Sequence, residues 1–375
     1  MKNKLETATG SFIVNRGSDE INRSLQAWNS ADEYILNTLE SYELKEGSNL
    51  LLFNDGFGAL TVSLAGKYTI FNYSDSLCSH KQCLDNLKAN KIDEKKIHFL
   101  TPEDRIPADV SLIIIKNPKS LNYLEFQLQQ LSSEYKKGIP FIAADMNKNI
   151  HSSTVSLFEH YMDGVKTSLA WKKSRLIQGD TKGSVPFVNE FPVNYKPLDE
   201  LFEIINYPNL FAHGRLDPGT AFLIANFPFV AEKKSVVDLA CGDGILAIKA
   251  ASLWPEASFL CVDESYLAIR SAKESFEKSG YPNPVEFRVC DILDGVVEGS
   301  ADLILCNPPF HDNHSLSTAT ALTMFRQSHA VLKSRGELFV VSNRHLGYEK
   351  QLAKIFSSAQ VIKSNKKFSI IRAVK

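Results

Sequence analysis

The sequence lacks the features that mark secreted, membrane-embedded or metal-stabilised proteins. Its 375 residues include six cysteines, but no two are spaced as C-x-x-C and no histidines accompany them at zinc-ligand spacing. No hydrophobic run approaches the roughly 18 residues that a membrane helix requires, and the first residues contain no apolar signal segment. We therefore expect a cytoplasmic protein with reduced thiols, without a bound metal and without a membrane anchor.

An excess of charge of either sign is also missing. The 42 Lys and Arg residues almost balance 43 Asp and Glu residues, which gives a formal net charge of −1. This balance excludes a uniformly basic nucleic-acid-binding surface, although a local basic face is compatible with it. Positive charge is concentrated in two segments, residues 166–182 and 363–375. The length suits two domains, and 44% hydrophobic residues are ordinary for a globular protein.

The second half of the chain alternates short apolar segments with helical ones. Strands are predicted at 235–239, 258–262, 285–290, 301–306, 337–342 and 368–374, and helices at 245–253, 267–279 and 319–332. Strands that alternate with helices of this length predict an α/β fold with a twisted, largely parallel sheet.

The first half repeats this order of landmarks. A strand with a glycine turn at 50–58, a strand before Asn117-Pro118 and a strand after Gly138 follow one another as in the second half. The first copy has Leu52 where the second has Asp238. We therefore predict a duplicated domain whose N-terminal copy is degenerate. The predicted boundary separates residues 1–185 from 186–375, within a proline-rich connection at 179–208.

A nucleoside-binding turn is predicted after the first strand of the second copy. Asp238 precedes a turn that contains Ala240, Gly242 and Gly244, and a helix follows. Glycines allow a ligand to approach the backbone where a Cβ would clash. An acid before the turn suits the cationic amino-acid end of S-adenosylmethionine, whereas it would repel the diphosphate of a nicotinamide cofactor.

Two further acids follow the next two strands. Asp263 ends the second strand, where a carboxylate accepts hydrogen bonds from ribose hydroxyls. Asp291 follows the third strand, where it is placed to accept from an adenine amino group. Three acids at strand ends in this order predict an S-adenosylmethionine site made of Asp238, Asp263 and Asp291 with the turn.

The fourth strand is followed by Asn307-Pro308-Pro309-Phe310. The two prolines make a rigid strand exit without N–H donors, which leaves the Asn307 amide and the Pro308 carbonyl as acceptors for a base amino group. We expect Asn307 to contact both cofactor and substrate. Positioning of that amino group supplies much of the rate enhancement, so no strong base is required. Phe310 is suited to stack on a base that is flipped out of its helix. Residues 342–346, after the fifth strand, are further candidates for lining the active-site cleft.

At these residues the chain resembles the bacterial ribosomal RNA guanine-N2 methyltransferase family of the RsmC and RlmG type. Similar segments span nearly the whole chain, at 25–28, 32–34, 169–173, 175–176, 307–311 and 343–346. The resemblance implies two tandem Rossmann-like class I methyltransferase domains, the first degenerate and used for RNA docking or folding. It also implies S-adenosylmethionine as cofactor. The N-terminal segments are more similar to the large-subunit members, which implies N2-methylguanine in 23S ribosomal RNA as the product.

Two positions depart from the family pattern. Ala240 stands where the turn often has glycine, and we expect binding to tolerate so small a side chain. In the segment 214–219, Pro218 replaces a usually apolar residue, while Leu216 and Asp217 match. We expect this segment to close over the cofactor.

Other functions remain open at this point. The tetrapeptide also suits a small-subunit (16S) guanine-N2 methyltransferase, or an enzyme that methylates adenine in DNA or glutamine in a protein. A non-catalytic RNA-binding assembly factor is a further alternative, which binding of labelled cofactor would distinguish. The target guanine and the form of the RNA substrate are not determined by the sequence, and a monomer is expected.

Overall fold

The computed structural model describes residues 3–17, 26–197, 202–227, 233–309 and 314–375, except for the side chains of 314–318. It forms two compact units, Met1–Phe191 and Pro192–Lys375. The boundary expected after residue 185 thus falls within the last residues of the first unit.

The first unit contains a β-hairpin and a seven-stranded sheet of order β5-β4-β3-β6-β7-β9-β8. The hairpin is β1 (Lys4–Thr7) with β2 (Gly10–Ile13). The sheet strands are β3 (Asn49–Phe53), β4 (Thr69–Tyr73), β5 (Ile97–Leu100), β6 (Leu112–Lys116), β7 (Pro140–Met146), β8 (Met162–Thr167) and β9 (Ser174–Thr181). The helices are α1 (Ser30–Thr38), α2 (Ala59–Leu64), α3 (Leu77–Ala89), α4 (Leu121–Glu134) and α5 (Ser152–Tyr161).

The second unit has a corresponding seven-stranded sheet of order β14-β13-β12-β15-β16-β18-β17. A short hairpin, β10 (Val193–Tyr195) with β11 (Ile204–Asn206), precedes it. The sheet strands are β12 (Ser235–Leu239), β13 (Ser258–Asp263), β14 (Val285–Val289), β15 (Ala301–Cys306), β16 (Leu332–Asn343), β17 (Ser358–Ser364) and β18 (Phe368–Val374). The helices are α6 (Pro218–Ala225), α7 (Ile245–Ala251), α8 (Tyr266–Ser279), α9 (His314–Val331) and α10 (Tyr348–Leu352).

The two sheets share one topology, and this confirms the predicted α/β fold of two Rossmann-like halves. In each sheet five parallel strands are followed by an antiparallel pair. The central strands are covered on both faces, so they are continuous apolar runs; Leu303, Ile304 and Leu305 of β15 are fully buried.

Some elements differ from the sequence prediction. The expected connection at 179–208 is wrong in part, since β9 extends to Thr181 and β10 pairs with β11 inside that segment. β16 begins at Leu332, five residues earlier than expected, because the strand runs through Gly336. β17 was not predicted, since its side chains are mostly exposed and lack an alternating pattern.

The cysteine side chains lie mostly in the interior. All six cysteines are free and five of them are buried. Within the described ranges, no helix is both long and apolar enough to cross a membrane, and no group of three or more His, Cys, Asp or Glu residues is arranged to hold a metal ion.

Candidate functional site

The predicted site residues lie at the carboxyl edge of the second sheet. Asp238 lies near the end of β12 and Asp263 ends β13, which pairs with β12. Asp291 follows β14, and Asn307 directly follows β15 on the other side of β12. The crevice at the carboxyl ends of parallel strands, where the strand order reverses, is the usual ligand site of an open α/β sheet. The structure therefore brings together these four residues that are far apart in sequence.

The turn after β12 leaves its backbone open at one position and tightly packed at another. Ala240, Gly242 and Gly244 have φ values of +58°, +56° and +80°. A Cβ added to Gly242 would meet no atom within 4 Å, whereas one added to Gly244 would lie 3.0 Å from Ala272 of α8. Gly244 thus allows α7 and α8 to pack closely, and Gly242 leaves room for a ligand against the backbone.

Asp238 has an unsatisfied carboxylate oxygen next to this turn. The side chain is 1% exposed, and Oδ2 accepts a hydrogen bond of 3.0 Å from the Ala247 amide. Oδ1 is buried and has no partner within the described chain. Burial raises the pKa of Asp238 well above its ordinary value, and the nearby Asp243 and Asp263 raise it further. A bound cation would offset this unfavourable charge, so the residues present fit a ligand with a cationic end.

Asp263 fixes the turn against the neighbouring strand. Its Oδ2 accepts from the Gly242 amide at 3.0 Å and its Oδ1 from the Ser265 amide at 3.1 Å. Burial raises the pKa of this carboxyl group as well. Each carboxylate oxygen has a second lone pair, so Asp263 can still accept from a ribose hydroxyl.

Asp243 is a site residue that the sequence analysis did not single out. Its Oδ2 accepts from the Tyr195 hydroxyl at 2.7 Å and from Asn206 Nδ2 at 3.1 Å. Burial raises the pKa of Asp243. The two partners belong to the β10–β11 hairpin, which precedes the turn by more than thirty residues, so no local pattern indicated the contact.

Asn307 is held in one orientation. Its Nδ2 donates to Asp217 Oδ2 at 3.0 Å and to Thr220 Oγ1 at 2.8 Å. A carboxylate can only accept, so the nitrogen of the amide must face Asp217. The opposite atom, Asn307 Oδ1, is buried without a partner among the described residues. Pro308 is buried and Pro309 exposed, whereas the predicted Phe310 lies outside the described residues.

The partner of Asn307 comes from the segment expected to close over the cofactor. Asp217 caps α6 by accepting from the Thr220 amide at 2.8 Å, and Pro218 occupies the first turn of that helix. The unusual Pro218 is therefore compatible with the fold. The sequence Asp-Pro-Gly signals a helix start, but it does not show that the cap also binds Asn307.

The equivalent edge of the first unit differs at the same positions. Leu52 is the residue before the last of β3, as Asp238 is in β12, and it is fully buried. Asn117 follows β6 as Asn307 follows β15, but both polar atoms of its side chain are buried without a partner in the described ranges. The first unit thus has the same strand framework without an acid at the position of Asp238 and, among the described residues, without a partner that orients the asparagine.

Both units match known protein families. Residues 2–183 match the RLMG N-terminal domain, and residues 201–372 match the methyltransferase small domain. Among solved structures, the chain is similar to the T. thermophilus 16S rRNA N2 methyltransferase RsmC, which was determined with AdoMet and guanosine. The TM-score is 0.76 at 18% identity, covering 99% of this chain and 97% of the other, and this similarity supports the fold.

Curated relatives extend the match over the full length. Three proteins named "Ribosomal RNA large subunit methyltransferase G" illustrate it. The one from Aliivibrio fischeri (strain MJ11) is 36% identical over 100% of this chain and 99% of its own length. The one from Vibrio parahaemolyticus is 37% identical over 100% and 98%, and the one from Pseudoalteromonas translucida is 38% identical over 95% and 94%. The chain belongs to the family of the ribosomal RNA large subunit methyltransferases G.

Proposed function

We propose that this protein transfers a methyl group from S-adenosylmethionine to the exocyclic N2 of a guanine in large-subunit ribosomal RNA. The observation that carries the proposal is Asn307 Oδ1, which has no partner among the described residues, since an amide oxygen held in this way can accept a hydrogen bond from a base amino group. The names of the full-length relatives support ribosomal RNA of the large subunit as the substrate. We further propose that the protein acts in the cytoplasm as a monomer.

The carboxyl edge of the second sheet would hold the cofactor. Gly242 would admit it against the backbone, Asp238 would face its ammonium group, Asp263 would accept from the ribose and Asp291 from the adenine. Ala240 and Gly244 would shape the turn. When bound, S-adenosylmethionine supplies a methyl group on a positively charged sulfur.

Asn307 would orient the amino nitrogen for attack. Its Oδ1 and the Pro308 carbonyl would accept hydrogen bonds from the two N–H groups of the base, which would leave the nitrogen lone pair free to face the methyl donor. The nitrogen would lose one of these protons to water once it carries the methyl group. Since positioning supplies much of the rate, no strong base is needed. Stacking of Phe310 on the base stays a prediction.

We propose that the first unit docks the RNA or assists folding. Its β8–β9 hairpin ends in a tight turn in which Trp171 and Ser174 exchange backbone hydrogen bonds of 2.8 Å. The two turn residues, Lys172 and Lys173, have φ values of +44° and +68°, which is costly for residues other than glycine. Strained backbone is often kept where it serves a function, and here it presents two exposed lysines, of which Lys172 lies over the Trp171 ring.

The proposed function is tested by mass mapping of methylated guanines in ribosomal RNA from cells with and without this gene. We expect one N2-methylguanine of the 23S RNA to disappear without the gene and to return with the parent gene. A gene encoding Asn307→Ala should not restore it. An unchanged set of N2-methylguanines in both RNAs would contradict the proposal, and loss of one from 16S RNA would favour the small-subunit alternative.

A further inference from the structure

A cleft of about 490 Å³ lies in the second unit and is lined by four side chains that can carry positive charge: Arg344, His345, Lys366 and Lys367. We call it the basic cleft. All four residues are exposed, so the cleft is open to a ligand from solvent. Arg344 and His345 belong to the segment 342–346 that the sequence suggests for the active-site cleft, but the proposed reaction gives no role to any of the four residues.

The fold places the basic cleft at the same sheet edge as Asn307. Arg344 directly follows β16, which runs parallel to β15, and Asn307 directly follows β15. Lys366 and Lys367 lie in the turn between β17 and β18, which is held to the end of β16 by the pairing of Phe368 with Asn343. The Arg344 amide donates to the Lys367 carbonyl at 2.8 Å. Two segments distant in sequence are thus fixed side by side.

A short series of contacts connects the basic cleft to Asn307. Lys367 Nζ lies 5.1 Å from the centre of the Phe368 ring. The Phe368 ring lies within 3.4 Å of a Cβ built on Gly219, in the first turn of α6. Asp217, which caps this helix, binds Asn307. A ligand in the cleft would therefore lie next to the segment that orients the predicted catalytic amide.

Three of the charges that line the basic cleft are not neutralised by an ion pair among the described residues. Arg344, Lys366 and Lys367 have no ion-pair partner in the part of the chain that the structure describes. Other cations of the unit do have one: Lys333 Nζ lies 3.0 Å from Asp302, and Lys233 Nζ lies 2.6 Å from Glu337. Clustered cations repel one another, and an anion bound among them offsets this repulsion.

We propose that the basic cleft binds a backbone phosphodiester of the RNA close to the target guanosine; this rests on the proposed function. Arginine and lysine are the side chains that contact phosphates most often, and such contacts fix the register of a nucleic acid on a protein. A phosphate held beside α6 would set the distance between the backbone and the base presented to Asn307. Free phosphate offers the same chemistry, so the test must separate the two.

The test measures binding of a fluorescein-labelled single-stranded oligoribonucleotide across a salt series. Lys366→Gln with Lys367→Gln removes two charges and keeps much of the side-chain length. We expect weaker binding. The slope of the logarithm of the binding constant against the logarithm of the salt concentration should be shallower by about 0.7 for each lysine removed. Lys366→Arg with Lys367→Arg should restore the parent slope. The matched control is Lys273→Gln with Lys354→Gln, two exposed lysines outside the cleft, which should bind like the parent.

Three results would overturn the proposal. The first is superimposable lines for the parent and the glutamine variant, with Arg344→Gln as an independent second variant. The second is competition by inorganic phosphate at the same phosphate concentration as an unlabelled oligoribonucleotide, which would assign the cleft to a free anion. The third is a loss of S-adenosylmethionine affinity in the glutamine variant, measured by calorimetry. This result would make the turn between β17 and β18 a structural element of the cofactor site.

These readouts do not depend on methyl transfer. If mapping finds no methylated guanine but the slopes change as expected, the proposed function fails and the phosphate site stands. If mapping succeeds and the slopes coincide, the function stands and the cleft has another role.

Discussion

At the scale of single residues, Asn307 is the residue predicted to orient the amino group that receives the methyl group. Its Nδ2 donates to Asp217 and Thr220, whereas its Oδ1 has no hydrogen-bond partner in the described parts of the chain. We expect Asn307→Ala to lower the turnover number roughly a hundredfold, as removal of one preorganised transition-state contact does. Affinity for S-adenosylmethionine, measured by calorimetry, should stay near that of the parent.

The first unit offers a matched control for this prediction. Asn117 occupies the equivalent place after β6, so Asn117→Ala removes the same amide from the degenerate copy. Its turnover should equal that of the parent. Equal losses in both variants would mean that these asparagines support the fold. A loss of cofactor binding with Asn307→Ala would contradict a role confined to the transition state.

Asp217 is predicted to position Asn307. Asp217 Oδ2 accepts from both the Thr220 amide and Asn307 Nδ2, so Asp217→Ala frees the asparagine amide to rotate. We expect the turnover number to fall about tenfold, the effect of roughly 1.4 kcal/mol, with little change in KM for RNA. Asp217→Asn can keep both contacts through its carbonyl oxygen and should recover most of the rate. A purely structural cap would instead give variants that differ in thermal unfolding and not in turnover.

At the scale of elements, the turn between β12 and α7 concentrates negative charge. Asp238, Asp243 and Asp263 all have pKa values raised chiefly by burial. A raised pKa means that these carboxyl groups bind protons more tightly in the folded protein than in the unfolded chain. At pH values below the ordinary carboxyl range they are protonated in both states, so they do not destabilise the folded protein. The destabilisation develops as the pH rises above that range and is complete once the pH exceeds the raised pKa values. The cofactor-free protein should therefore gain stability from these groups as the pH is lowered from above their raised pKa values toward the ordinary carboxyl range.

The same cluster predicts the pH dependence of cofactor binding. A cationic ligand favours the charged carboxylates, so affinity for S-adenosylmethionine should fall as the pH falls through the raised pKa values. Asp238→Asn should weaken binding by about 1–3 kcal/mol, flatten the pH dependence and stabilise the cofactor-free protein. Calorimetry and thermal unfolding at a series of pH values check both effects. A variant with the parent's pH profile would show that Asp238 is not the group that titrates.

At the scale of the whole molecule, the degenerate unit is expected to contribute RNA affinity through its hairpin. Lys172 is already bound to Glu33 at 2.9 Å and lies 4.5 Å from the Trp171 ring centre, so Lys173 is the freer charge. We predict that Lys172→Glu with Lys173→Glu weakens RNA binding and lowers its salt dependence. Affinity for S-adenosylmethionine should not change.

A salt series with labelled RNA checks this prediction. Lys45→Glu with Lys88→Glu makes the same charge change at exposed positions of the first unit outside the hairpin. If the hairpin variant follows the same line as this control, the hairpin is ordinary surface and the RNA is bound elsewhere.

The sequence alone determined the fold class, the duplication and the positions of Asp238, Asp263, Asp291 and Asn307. These follow from local signals: apolar strands buried on both faces, glycines where the turn requires them, and acids or amides directly after strands. Since parallel strands end at one edge of a sheet, side chains that follow them must meet there. Such inferences need only the order of elements along the chain.

Only the tertiary structure decided which side chains bind one another across that edge. The bonds from Asn307 to Asp217, from Tyr195 to Asp243 and from Arg344 to Lys367 join residues far apart in sequence. The exposed strand β17 and the continuation of β16 from Leu332 likewise depend on pairing with β18 and β15 and not on an apolar pattern of their own. A hydrogen bond is directional and extends about 3 Å, so no periodicity along the chain indicates which distant partner will come within reach.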